Sequence, residues 1–220
     1  MNDTRNIEDT LYIDNLLNKK KVQLIEKRIF DIILSIVGLI IISPIMLIIL
    51  IIIKLDSKGP ILFKQIRVGK DGQYFKIFKF RTMVVDAEKL GMQITVGSDK
   101  RITKAGYFLR KNKLDELPQL INVLIGDMSF VGPRPEVPKY VEMYDEIQRN
   151  ILRVRPGITD LASIEFRDES NLLIKSPEPE KTYINEIMPK KIGLNIEYIK
   201  NMSFLYDVKL IVKTILIVLK

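Results

Sequence analysis

Arg28-IFDIILSIVGLIIISPIMLIILIII-Lys54 is the stretch on which the fold turns. Between its flanking cations the only charge is Asp31, and residues 32–53 are nearly all Ile, Leu, Val and Met. At about 1.5 Å per residue the roughly 22 apolar residues make a helix of about 33 Å. A bilayer's hydrocarbon core is about 30 Å thick. Each large aliphatic contributes about −0.5 kcal/mol to insertion, so the run favours the membrane. A soluble core helix and a cleaved signal peptide are the competing readings. The second fits poorly, because the preceding tail is long and acidic in places and no small-residue cleavage site follows.

Ser43-Pro44 lies in the middle of the run. Pro44 has no backbone donor and clashes with the carbonyl of Ile40, at about 3 kcal/mol in a straight helix. A break is expected there, with the Ser43 hydroxyl available to freed carbonyls. Lys19, Lys20, Lys21, Lys27 and Arg28 precede the run; Lys54, Lys58, Lys64 and Arg67 follow it. Positive flanks mark the cytoplasmic side. Two positive flanks favour a re-entrant helix-break-helix over a kinked span. Asp31, one turn from Arg28, is placed to pair with it. At the far end, residues 208–219 are aliphatic except for Lys209, Lys213 and Thr214. Lys209, Lys213 and Lys220 fall within about 40° on a helix. Such a lysine stripe suits an interfacial helix, the alternative being a helix packed on the protein's own core.

The rest is basic. Lysine and arginine outnumber the acids 35 to 27, a net charge of +8. That balance suits nucleic acid, acidic lipid or a phosphorylated substrate, or serves only solubility. The chain has no cysteine and no histidine. Thiol and imidazole catalysis are excluded, and any metal must sit on oxygen ligands, which points to magnesium or manganese.

Residues 61–68 and 74–82 read as two strands around Asp71-Gly72, a hairpin turn signal. Alternation puts Phe78 and Phe80 on one face and Lys79 and Arg81 on the other. Leu117, Leu120, Ile121 and Leu124 recur at helical spacing, with Pro118 in the first turn and Gly126 at the end. Asp115 and Glu116 then stand at a helix N-terminus. Backbone N–H groups there keep a carboxylate ionised or hold a phosphate; ordinary acidic capping is the bland alternative. Val131-Gly-Pro-Arg-Pro-Glu136 reads as a rigid turn that presents Arg134 for bidentate phosphate binding. Arg110 and Lys111 lie upstream of the acidic pair; Arg149, Arg153 and Arg155 precede Pro156-Gly157. Cations bracketing two carboxylates suit a diphosphate handled with a divalent metal. Residues 170–191, with Pro177, Pro179 and Pro189, read as a long loop.

From about Lys27 to the C-terminus the chain resembles the bacterial sugar transferases, the small monotopic phosphoglycosyl transferases. The ordered motifs are Lys27-Arg28 with Asp31, Ser43-Pro44, Gly59-Pro60, Gln65-Ile-Arg-Val-Gly69, Lys79-Phe-Arg-Thr-Met83, Asp99, Arg101-Ile-Thr103 and Phe108-Leu-Arg110. Leu114-Asp-Glu-Leu-Pro-Gln119, Gly126-Asp-Met-Ser129, Val131-Gly-Pro-Arg-Pro135 and Arg155-Pro-Gly-Ile-Thr159 follow. The resemblance implies transfer of a sugar-1-phosphate from a UDP-sugar to a polyprenyl (undecaprenyl) phosphate, with release of UMP. It implies a bacterial inner-membrane protein on the cytoplasmic face, acting first in a surface-glycan pathway. Asp115 falls on the family's nucleophile and would form an aspartyl phosphosugar. Glu116 would help hold Mg2+ with Asp115. Lys79, Arg81, Arg110, Arg134 and Arg155 become the phosphate- and nucleotide-binding candidates.

The expected fold is α+β and mainly helical. Residues 1–27 are an N-terminal tail, and 28–54 a re-entrant helix carrying Arg28, Asp31, Ser43 and Pro44. Residues 55–220 are a cytosolic catalytic domain with a small β-hairpin and a C-terminal interfacial helix. The expected partners are donor, acceptor and inner-membrane lipid, with a homodimer left open and no nucleic acid. Asp160, Ser163 and Lys113 depart from the family's usual residues and put the sugar's identity in doubt. The alternative is a non-catalytic basic adaptor on the membrane surface. A membrane-tethered nucleic-acid binder is disfavoured, because no recognition motif is present.

Overall fold

The structure, a computed structural model, describes residues 2–87 and 99–218. Lys220, which figured in the expectations above, lies outside the described residues. The chain opens with α1 (Asn2–Lys19) and α2 (Lys21–Asp56). So the expected tail is largely helix. Its Ile13 is buried in the main core, and Asp14 pairs with Arg153 at 2.8 Å.

α2 contains the whole apolar run and passes through Ser43-Pro44 without interruption, which corrects the expected break. The Ser43 hydroxyl donates to Ile40 O at 2.9 Å. That carbonyl would have lost its partner to Pro44, so the serine repairs the defect and helical conformation continues. The outer face of α2 is apolar and bare: Ile33, Ile40, Ile41, Leu47, Ile48, Ile51 and Leu55 are all more than half exposed, while Asp31, Ser35, Ile49 and Ile53 are buried. Both flanks touch the globular portion. Lys27 pairs with Asp207 at 2.5 Å, Arg28 donates to Val123 O and Leu124 O, and Asp56 accepts from Ala105 N. The middle touches it too: a Cβ added at Gly38 would stand 3.4 Å from Leu120. Arg28 and Asp31 do not form the expected pair. Asp31 is buried and accepts from Phe130 N at 3.1 Å, because Arg28 is drawn to the carbonyls that end the helix carrying Val123.

The hairpin follows as β1 (Leu62–Val68) and β2 (Tyr74–Phe80), antiparallel with Leu62 opposite Phe80. Asp71 and Gly72 both have positive φ, as an Asp-Gly turn requires. Next come α3 (Lys104–Lys111), a single 3₁₀ turn Leu114–Glu116, and α4 (Gln119–Ile125), closed by Gly126 at φ 100°. α3 packs so closely on the end of the hairpin that a Cβ on Gly106 would fall 2.0 Å from Thr82 O. β3 (Ser129–Val131) pairs in parallel with β4 (Gly157–Thr159), and α5 (Pro138–Val141) lies between them in sequence.

The remaining elements are α6 (Leu161–Glu165), α7 (Glu169–Ile174), α8 (Pro179–Thr182), α9 (Met188–Asn201) and α10 (Phe204–Val218). The loop expected over residues 170–191 is therefore mostly helical. Pro179 and Pro189 sit in the first turns of α8 and α9, where a missing N–H is harmless. The main core gathers Val131, Tyr140, Ile192, Tyr198, Ile199 and Leu210. A second cluster, Ile49, Ile53, Phe80 and Leu109, glues the end of α2 to the hairpin and α3. α10 buries Asp207 and Leu210 and leaves Leu205, Val212, Ile215 and Leu216 about half exposed or more. It thus meets both readings of the C-terminal segment: one face on the core, the other apolar and outward.

Candidate active site

The 3₁₀ turn places Asp115 and Glu116 between the two clusters. Lys113 enters it in a left-handed conformation, φ 55°. The expected N-terminus of a regular helix is thus replaced by a tight turn, because Pro118 and the left-handed Lys113 leave room for only one turn before α4. Asn122 fixes α4 against the hairpin. Its Oδ1 accepts from Phe78 N at 2.9 Å and its Nδ2 donates to Lys76 O at 2.8 Å. The amide thus completes the open edge of β2 as a strand would. That docking brings Lys79 over Glu116. Nothing in its immediate sequence marks Asn122; it looks like one more residue of an apolar helix.

The two carboxylates have different surroundings. Glu116 is clasped from both sides: Lys79 Nζ donates to Oε1 at 2.8 Å, Arg134 Nη1 to Oε2 at 3.3 Å, and Arg134 Nη2 also binds Oε1. Burial alone would push the Glu116 carboxyl up, but Arg134 and Lys79 outweigh it and hold it well below the usual range. Asp115 is 7% exposed and takes part in no hydrogen bond or ion pair among the described residues. Burial, and then the neighbouring Glu116 charge, push its carboxyl up; Lys79, Arg110 and Lys113 offset part of this. At Asp115 desolvation thus outweighs the neighbouring cations.

The clasp has its own supports. Pro133 and Pro135 flank Arg134 just after β3, and a following proline disfavours helical backbone at Arg134. Arg67 donates to Pro135 O at 2.9 Å, and Tyr183 Oη donates to Glu136. Glu116 raises the proton affinity of Arg134, whereas burial lowers that of Lys79. Arg110 donates to Thr82 Oγ1 at 2.8 Å and lies near enough to Asp115 to interact with it electrostatically. Asp160 is fully buried, caps α6 through Ser163 N, and acts on Arg134 through its charge. The unusual Asp160 and Ser163 are thus partners of each other.

Lys79, Arg110 and Arg134 come together around Asp115 and Glu116. Arg81 and Arg155 do not. Arg81 is 5% exposed and donates to Pro60 O and to Ser57 O and Oγ, closing the end of α2. It shares a strand face with Lys79, but the last carbonyls of α2 capture it. Arg155 lies at the opposite end of α4, with Nε on Gly126 O at 2.9 Å. Arg149 is exposed, and Arg153 turns to Asp14.

Among the described residues no group of three or more acidic side chains gathers. Magnesium commonly takes one or two carboxylates plus substrate phosphates. Asp115 offers a free carboxylate of that kind, while both oxygens of Glu116 are engaged by cations that a diphosphate would attract.

Comparison with known proteins fits this geometry. A family described as bacterial sugar transferase matches residues 22–220. The chain is 42% identical over 198 residues to the UDP-glucose:undecaprenyl-phosphate glucose-1-phosphate transferase of Klebsiella pneumoniae, covering 88% of this chain and 40% of that protein. It is 40% identical to a UDP-N-acetylgalactosamine-undecaprenyl-phosphate N-acetylgalactosaminephosphotransferase of Aeromonas hydrophila, over 86% of this chain and 42% of that one. The chain thus spans about two fifths of the length of these relatives. It spans 95% of the exopolysaccharide production protein PSS of Rhizobium leguminosarum bv. phaseoli, at 38% identity. By the family match over residues 22–220 and by that near full-length relative, the chain belongs to the bacterial sugar transferase family.

Proposed function

We propose that the protein transfers a sugar-1-phosphate from a UDP-sugar to a polyprenyl phosphate through a covalent intermediate on Asp115. The observation that carries this reading is the division of labour in the acidic pair. Glu116 is neutralised by two cations, while Asp115 stands buried, unpaired among the described residues and with raised proton affinity. Two adjacent carboxyl groups driven apart in this way take different chemical roles. A desolvated, more basic carboxylate is the better nucleophile once ionised.

In the first step an Asp115 oxygen attacks the sugar-bearing phosphorus. The bond to the bridging oxygen breaks and UMP leaves with it. In the second, a phosphate oxygen of the lipid attacks the same phosphorus, the bond to Asp115 breaks, and a polyprenyl diphosphate sugar departs. Lys79, Arg110 and Arg134 stabilise charge on the phosphoryl oxygens. As the diphosphate draws Lys79 and Arg134, the Glu116 carboxylate is freed. Asp115 and Glu116 would then hold Mg2+, which neutralises the diphosphate when bound.

The acceptor is a lipid, so the site belongs at a bilayer surface. α2 touches the globular portion at both flanks and in its middle, and it turns its apolar face outward. That supports a monotopic protein that sets the bare face of α2 into one leaflet, with the basic portion on the cytoplasmic side. An adaptor would spend its cations on headgroups, whereas here Lys79 and Arg134 are turned onto Glu116. The test is UMP release by detergent-purified protein given magnesium, undecaprenyl phosphate and a panel of UDP-sugars that includes UDP-glucose and UDP-N-acetylgalactosamine. Release that disappears in Asp115→Asn is expected; no release from any donor by folded protein would overturn the reading.

A further inference from the structure

A second cluster of cations lies at the other end of α4. There the start of α2, the hairpin turn, β3 and the end of α9 line an open cleft of about 90 Å3. Lys27, Arg28, Lys70, Arg153 and Arg155 line it, with Asp31 as the carboxylate on its wall. Three of these cations have acidic partners. Lys27 is neutralised by the buried Asp207; Arg153 and Lys70 hold only exposed pairs, with Asp14 and Asp71. Exposed pairs contribute little and exchange readily.

Arg28 and Arg155 differ. Each is half-buried, and neither has a carboxylate within ion-pair range among the described residues. Their acceptors are the last carbonyls around α4: Val123 O and Leu124 O for Arg28, Gly126 O for Arg155. Burial lowers the proton affinity of Arg28, the Arg155 charge lowers it further, and the Asp31 carboxylate on the cleft wall offsets part of this. The terminal nitrogens of Arg155 reach no acceptor among the described residues. Half-buried like charges with spare donors are costly unless an anion joins them, and a paired guanidinium fork matches a phosphate group. Arg28 also stands where the apolar run of α2 begins. Val22, Ile25 and Ile29 beside it are exposed, and so are Phe204 and Leu205 on α10.

We propose that this cleft is a second anion site that binds the phosphate of a membrane-lipid headgroup, with Arg155 and Arg28 as its fork and Lys70 at its mouth. Cations next to bare apolar side chains select an amphiphile over a free ion. The site is separated from Asp115 and Glu116 by the length of α4, about 10 Å, and it does not depend on the chemistry proposed for them.

The test is equilibrium binding by calorimetry, using the full chain in an uncharged detergent. The probes are dihexanoyl phosphatidylglycerol and, separately, inorganic phosphate. Saturable lipid binding is expected. It should weaken at least tenfold in Arg155→Ala, weaken several-fold in Lys70→Glu, and be unchanged in Lys79→Ala. Lys70 sits on an exposed turn, so its variant keeps the test valid if Arg155→Ala fails to fold. Phosphate binding with the same Arg155 and Lys70 dependence, without lipid binding, overturns the lipid assignment in favour of a free anion. Absence of saturable binding, or binding lost in Lys79→Ala instead, overturns the site.

Discussion

Glu116→Gln isolates the energetics of the clasp. The substitution keeps the shape of the side chain and removes its charge. Arg134 and Lys79 are then left facing a neutral amide, with their side chains 31% and 18% exposed. Removing one partner of a buried ion pair costs about 3–5 kcal/mol, because the remaining charge stays desolvated. The partial exposure of Arg134 lets water relieve some of that strain, which places the expectation at the lower end, about 3 kcal/mol. Such a loss shifts the folding equilibrium by about two powers of ten. The assay is urea unfolding in mild detergent, followed by circular dichroism, since the chain has no tryptophan. The pH dependence supplies a second reading. The Glu116 carboxyl lies below its unfolded value near 4.5, so its contribution is fully present above that pH and is lost as pH falls through the folded value. The variant should lack this acid-side loss. A cost below about 1 kcal/mol, the worth of a surface pair, with an unchanged acid limb, would refute the view of Glu116 as a desolvated anion held by two cations.

Other expectations follow from the same contacts. Lys27→Ala strands the buried Asp207, which among the described residues retains only the Tyr198 hydroxyl at 2.7 Å; a loss of about 3 kcal/mol is expected in the same urea assay. Gly106→Ala drives a Cβ into Thr82 O and should displace α3 together with Arg110. Activity should fall by more than tenfold, and a crystal structure should show α3 moved outward. The raised proton affinity of Asp115 predicts that initial UMP release falls with acid through an apparent pKa above the ordinary 3.8. A pH–rate profile that stays flat down to pH 4 would argue against it.

Much of the site was legible because the motifs are local. Asp115-Glu116, Pro133-Arg134-Pro135 and the Lys79 strand can each be read as chemistry. Their assembly could not be, since Lys79 and Arg134 meet Glu116 across 37 and 18 residues. Arg81 shows the limit most clearly. Its strand parity with Lys79 is real, yet its partners are carbonyls of Ser57 and Pro60 at the end of α2. Arg155 carries a phosphate-like motif to the wrong end of α4. Pro44 was read as a break because the proline rule is strong; the Ser43 hydroxyl that offsets it is equally visible, but its effect depends on geometry. Pro179 and Pro189 show the converse, since a proline opens a helix as readily as it ends one. Asn122 escapes any one-dimensional reading, because what it bonds is the bare edge of another element.

The most direct test of the account is the mass of the intact protein after mixing with a reactive UDP-sugar and magnesium, without acceptor. The account predicts a gain of one sugar phosphate, absent in Asp115→Asn and discharged by added undecaprenyl phosphate. UMP release that occurs only with acceptor present, with no adduct at any time, would contradict the covalent route through Asp115.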